Sequence, residues 1–112
     1  MKILFVCTQN RCRSITAERL YKNSPSHEVK SAGVALDANV PITKELLEWA
    51  DRIFVFEKSQ RNKIHKRFPE LYNSLKIECL YIEDVYEPMD LELINLLTLS
   101  LEDTIGPPSN KI

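Results

Sequence analysis

Cys7, Arg13 and Ser14 are the residues whose types and spacing promise chemistry. A cysteine is a strong nucleophile as its thiolate. An arginine carries a permanent planar charge that can grip two oxygens of an anion at once. On one short loop the pair suits attack at phosphorus, which needs an in-line nucleophile and donors that spread charge over three equatorial oxygens. The same donors favour the sulfur anion, so Cys7 is expected as a thiolate at neutral pH. Each residue also has a plain structural alternative. Cys7 suits a small buried hydrophobe at a strand end, Arg13 a surface charge, and Ser14 a helix cap. Together, as Cys-x5-Arg-Ser, they favour the catalytic reading.

Such a loop must be held by a strand before it and a helix after it. Lys2-Ile-Leu-Phe-Val6 is a short apolar run that reads as a buried strand. Ile15 to Lys22 reads as a helix, with Ile15, Ala17, Leu20 and Tyr21 on its inner face. Loop amides and a helix N-terminus then converge above the strand end, an arrangement suited to anions. Further strands are expected at Glu28–Ser31 (closed by Ala32-Gly33), Arg52–Phe56 and Lys76–Tyr81. Helices are expected at Lys44–Ala50 (capped by Thr43), at Lys58–Phe68 (ended by Pro69) and at Leu91–Leu101. The alternation implies an α/β fold: one domain with an open four-stranded parallel sheet, helices on both faces and a phosphate-binding loop after strand 1. The domain is expected over residues 1–102, and residues 103–112, with Gly106-Pro-Pro108, as a flexible C-terminal tail. Ligands in such sheets bind beyond the carboxyl ends of the strands. The acidic loop Ile82–Met89 should therefore share a rim with Cys7.

The chain has 112 residues, 44% hydrophobic and 28% charged, with a formal net charge of −1. That is enough for a single core and gives no reason to expect nucleic acid or an anionic membrane as partner. The basic stretch Glu57–Phe68, with Glu57 its one acid, reads as a solvated helix face. Met1-Lys2 and the following apolar residues are too short for a signal-peptide core, and no stretch is long enough to span a bilayer. Three cysteines without an export signal point to the cytoplasm. His27 and His65 read as surface residues and Cys79 as core. The histidines and cysteines have no metal-ligand spacing, and no cofactor is expected.

The loop resembles the signature of the low-molecular-weight protein tyrosine phosphatases, most closely the short bacterial-type members. Asn10, Cys12, Thr16-Ala-Glu18, Ser31-Ala-Gly33 and Trp49 to Glu57 extend the likeness. The resemblance implies a metal-independent phosphomonoester hydrolase acting through phosphocysteine on a phosphorylated protein or small aryl phosphate, with inorganic phosphate as product. Cys7 would be the nucleophile. Arg13 and the loop residues Thr8, Gln9, Asn10, Arg11 and Cys12 would surround the phosphoryl group, and Ser14 would hydrogen-bond the thiolate. Asn10 would hold a left-handed turn. Asp84, in Asp84-Val85-Tyr86, would be the general acid, with Glu83 and Glu87 as rivals, and Tyr86 would line the pocket. Cys12 would either form a reversible disulfide with Cys7 or be a packed thiol.

Gln9 stands where the family usually has Gly, and Ile15 and Val85 where it usually has Pro. The Val34–Pro41 stretch is shorter than the family's counterpart, which carries an aromatic wall; Trp49 reads instead as helix packing. Arg11 is a cation where related phosphoarginine phosphatases have Thr, and a cation there repels a guanidinium. Alternatives are an arsenate reductase-like enzyme on the same fold, for which only Cys12 and Cys79 remain as resolving thiols, and a cysteine phosphocarrier, which would lack Arg13. A phosphate- or phosphopeptide-binding module with impaired catalysis would fit Gln9, Ile15 and Val85.

Overall fold

Strand β1 (Lys2–Cys7) lies near the centre of the sheet with every residue after Lys2 buried. Its neighbours are β2 (Glu28–Gly33) and β3 (Arg52–Val55), and β4 (Ile77–Cys79) closes the far edge. All pairings are parallel and the order is β2-β1-β3-β4. The computed structural model describes residues 1–109.

The two-residue period of β1 divides the core. Ile3, Phe5 and Cys7 face α1 (Arg13–Tyr21) and α5 (Leu91–Ile105), packing with Leu20, Phe54, Leu93 and Leu97. Leu4 and Val6 face the opposite layer, formed by α2 (Lys44–Trp49), α3 (Lys58–Arg67) and the short α4 (Pro69–Tyr72). Cys7 therefore ends the central strand on the α1 side, directly before the loop that feeds α1.

The helices begin where side chains can satisfy free backbone N–H groups. Thr43 accepts from Leu46 N at 3.1 Å, and Asp90 accepts from Glu92 N at 2.8 Å. At α3, Glu57 and Gln60 form a reciprocal capping box. Helix α5 buries Leu93, Leu97, Leu101 and Ile105 at four-residue spacing and stops at Gly106, whose φ is +90°.

Several boundaries differ from expectation for local physical reasons. Helix α1 starts at Arg13, so its inner face holds Arg13, Ser14, Thr16, Ala17, Leu20 and Tyr21, while Ile15 lies outside the core. Strand β2 continues through Gly33 because β1 pairs with it to Cys7. Strand β3 ends at Val55, and β4 keeps only Ile77–Cys79, being an edge strand paired with β3 alone. Pro69 ends α3 and also opens α4, where a missing N–H costs nothing.

The expected tail boundary also moves. Helix α5 runs through Ile105, and the next residues are tied to α1: Tyr21 Oη donates to Gly106 O at 2.8 Å and Ser109 N donates to Leu20 O at 2.8 Å. The remainder of the expected tail, 110–112, lies outside the described residues. His27 is half-buried rather than a free surface residue, its Nε2 hydrogen-bonded to Ile105 O at 2.8 Å. His65 is exposed and stacks on Tyr72, and Cys79 is half-buried against the α2–α4 layer.

Candidate active site

The loop from Thr8 to Cys12 is shaped from behind by residues 34–39. Val34 N donates to Cys7 O, Ala35 N to Thr8 O and Asn39 N to Gln9 O, while Asn39 Nδ2 donates to Asn10 O. With these carbonyls held outward, the loop's amide edge turns toward the sulfur, and Asn10 N donates to Cys7 Sγ at 3.2 Å. The turn needs a left-handed residue, and Asn10 supplies it at φ +56°. Gly33 makes the close approach possible. A Cβ there would lie 2.5 Å from Thr8 O and 2.9 Å from Asn10 N.

A second donor reaches the sulfur through a directed chain. Asn10 Nδ2 donates to Ser14 Oγ at 2.8 Å, and Ser14 Oγ lies 2.9 Å from Cys7 Sγ. Because the Ser14 oxygen accepts from Asn10, its one proton is free to point at the sulfur. Two donors aimed at one sulfur suit a thiolate, and each link polarises the next.

Arg13 is 2% exposed and its guanidinium is oriented by long-range partners. Nη1 donates to Glu57 Oε2 and to Ile82 O, both at 2.8 Å, and the Phe56 ring lies below. With both of those contacts on Nη1, the Nε and Nη2 edge is left for an anion, and Asp84 Oδ1 stands 3.8 Å from Nε. Glu57 is held in turn by Gln60, whose amide also donates to Thr8 Oγ1 at 3.2 Å. A buried guanidinium without such a partner would carry a large desolvation cost. Sequence reading missed Glu57 and Gln60 in this role, although the Glu-x-x-Gln capping pattern marks where they sit.

The acidic loop is fastened over the site at four points. Ile82 N donates to Phe56 O, and Arg13 holds Ile82 O. Cys12 Sγ donates to Tyr86 O at 3.0 Å, and Met89 N donates to the buried Thr16 Oγ1 at 3.0 Å. Left-handed Tyr81 (φ +55°) and Met89 (φ +62°) turn the chain into and out of it. These ties anchor the loop on either side of Asp84.

Cys7, Gln9, Arg11, Cys12, Arg13 and Asp84 line one cavity of about 160 Å³. Of the three acidic candidates, only Asp84 lines it; Glu83 borders a separate depression with Phe56 and Tyr81. Asn10 and Ser14 stand behind the sulfur. Thr8 turns its hydroxyl away to Gln60, and Tyr86 packs its ring against the α1–α5 core, contributing its carbonyl to Cys12 instead of an aromatic wall. Burial, then the negative charge of Asp84, pushes the Cys12 thiol up from its ordinary value, in keeping with its role as donor to Tyr86 O. Cys7, Cys12 and Cys79 are all free thiols in the structure. Among the described residues, no group of three or more His, Cys, Asp or Glu side chains is placed to hold a metal ion.

Comparison with known proteins gives a consistent set of likenesses. The family model described as low molecular weight phosphotyrosine protein phosphatase matches residues 2–52. A protein-arginine-phosphatase of Geobacillus stearothermophilus is 33% identical, over 62% of this chain and 63% of that protein. The chain thus spans about 63% of the length of the curated relatives it matches. Among solved structures, the YwlE arginine phosphatase from Geobacillus stearothermophilus superposes with a TM-score of 0.66 at 29% identity, covering 88% of this chain and 87% of that one. The tyrosine phosphatase Wzb from Escherichia coli K30, in complex with phosphate, gives a TM-score of 0.67 at 28% identity, covering 88% and 89%.

Proposed function

We infer the function from kinship and geometry together: the chain is a relative of the low molecular weight phosphotyrosine protein phosphatases, and its Cys7 cavity suits a phosphoryl group. The reading is a metal-independent protein phosphatase that hydrolyses phosphomonoesters through a phosphocysteine. The observation that carries it is the pair of donors, Ser14 Oγ and Asn10 N, aimed at Cys7 Sγ beside the buried Arg13.

In this reading Cys7 Sγ attacks phosphorus in line with the leaving oxygen, forming an S–P bond as the O–P bond breaks. The Nε and Nη2 edge of Arg13 and the loop amides hold the three equatorial oxygens. Asp84, as general acid, gives a proton to the leaving oxygen and then, as general base, takes one from the attacking water. Water oxygen replaces sulfur on phosphorus, and the departing thiolate returns to Asn10 N–H and Ser14 O–H. Inorganic phosphate leaves.

For the substrate we propose phosphotyrosine or another aryl phosphate. Arg11 lines the cavity and disfavours a cationic leaving group, while the aryl oxide is a better leaving group than an alkoxide. A second reading, phosphoarginine, is favoured by the relatives that carry that activity in their names. Free thiols fit a cytoplasmic setting, and no helix among the described residues is long and apolar enough to cross a membrane. The test is turnover of para-nitrophenyl phosphate in EDTA, then of phosphotyrosine, phosphoserine and phosphoarginine peptides, by wild type and Cys7→Ser. Turnover in EDTA that Cys7→Ser abolishes supports the reading. Tight phosphopeptide binding without release of phosphate would instead favour a binding module.

A further inference from the structure

A larger concavity than the catalytic one lies on the opposite side of the phosphate loop. It has a volume of about 510 Å³ and runs between α1, β2 and the 39–46 segment. Asn10 lines this groove, whereas Gln9 and Arg11 on either side of it line the catalytic cavity. The two spaces thus flank the same stretch of loop backbone.

Its lining is apolar at the base, with Ile15, Val40 and Leu46, and basic along the edge, with Lys22 and Lys30. Neither lysine is in an ion pair among the described residues. Lys30 is held by an aromatic face: its Nζ lies 4.5 Å from the centroid of the Trp49 ring. A carboxylate partner would neutralise that charge, but a ring leaves it available to an incoming anion. Glu18, the acidic residue of the lining, is engaged by Ser31 Oγ at 2.8 Å. Arg19 adds a further basic group on the α1 side.

We propose that this groove between α1 and β2 is a docking subsite for an acidic segment of the phosphorylated protein, adjacent in sequence to the residue whose phosphate enters the Cys7 cavity. The proposal rests on the phosphatase reading above for its kinetic consequence, but not for the binding itself. Carboxylates of the segment meet Lys22 and Lys30, and its apolar side chains rest on Ile15, Val40 and Leu46. The catalytic cavity is small and has no aromatic wall, so contacts outside it would supply selectivity that the cavity lacks.

The test uses a fluorescein-labelled, unphosphorylated peptide rich in glutamate beside the same peptide with glutamines. Wild type should bind the acidic peptide, with affinity falling as salt rises, and Lys22→Gln/Lys30→Gln should weaken binding about fivefold. Equal binding of both peptides, or undiminished binding by the double variant, overturns the proposal. Preferential binding of a single-stranded DNA oligonucleotide of equal charge overturns it in favour of a nucleic-acid surface. In the kinetic arm, phosphotyrosine peptides with acidic flanks should lose about fivefold in kcat/KM in the double variant. Turnover of para-nitrophenyl phosphate should be unchanged. Failure of wild type to hydrolyse para-nitrophenyl phosphate would defeat the phosphatase reading, while the binding arm would still decide the groove.

Discussion

Replacing Ser14 with alanine isolates the contribution of one hydroxyl to the sulfur's charge. Ser14 Oγ lies 2.9 Å from Cys7 Sγ and receives Asn10 Nδ2 at 2.8 Å, which leaves its proton free to point at a sulfur anion. A hydrogen bond to a charged group contributes about 1.5–3 kcal/mol. At 1.36 kcal/mol per tenfold, its loss should slow reaction at Cys7 by up to about 10- to 100-fold. Asn10 N, 3.2 Å from the sulfur, remains as a donor, so reactivity should not vanish. In the proposed mechanism the same hydroxyl would stabilise the thiolate as it leaves phosphorus. The kcat for para-nitrophenyl phosphate should therefore fall by a similar factor, while KM, set by Arg13 and the amides, changes less. The assay is iodoacetamide alkylation near pH 7 followed by mass spectrometry to locate the adduct. Cys12, whose thiol is pushed up by burial and by Asp84, is expected to alkylate slowly and provides an internal control. Alkylation of Cys7 in Ser14→Ala within twofold of wild type would show that the hydroxyl does not sustain the anion.

Gly33→Ala places a methyl 2.5 Å from Thr8 O and should displace the loop, lowering turnover by more than tenfold and stability by about 1–3 kcal/mol; enzyme assay and thermal unfolding check both. Asp84→Asn should slow release of the leaving group by about 10²–10⁴-fold without slowing Cys7 alkylation, whereas Glu83→Gln and Glu87→Gln should stay near wild type in the same assays. Tyr21 is pushed up to about 12 by burial and by Glu102. Because the folded value exceeds the unfolded one near 10, its contribution is complete below pH 10 and lost as pH rises through about 12. Denaturant unfolding should show that loss, at most about 2–3 kcal/mol, and Tyr21→Phe should flatten it.

The sheet and the loop were legible because both depend on local pattern. Ile3, Leu4, Phe5 and Val6 form the buried run before Cys7, and Cys7, Arg13 and Ser14 keep fixed spacing along one strand-to-helix junction. What escaped depends on distant partners. Arg13 and Ser14 belong to the inner face of α1 although they are polar, because Glu57, Ile82 and Cys7 satisfy them there. Their burial rotates the helix's inner face and releases Ile15, which hydrophobic periodicity alone had assigned to the core. Glu57 read as an isolated acid beside a basic segment, and only the fold reveals that it orients Arg13. Likewise α5 outlasts its leucine repeat because Ile105 is buried and Gly106 meets Tyr21. Tyr86, expected to line the pocket, packs against the α1–α5 core and is not among the residues lining the cavity.

Rapid quenching of Asp84→Asn with phosphotyrosine peptide, followed by phosphorus NMR and mass mapping, tests the proposed chemistry most directly. A phosphorus–sulfur adduct on Cys7 that is absent from Cys7→Ser is the predicted result. Phosphate release with no covalent adduct, or turnover that survives in Cys7→Ser, would contradict it.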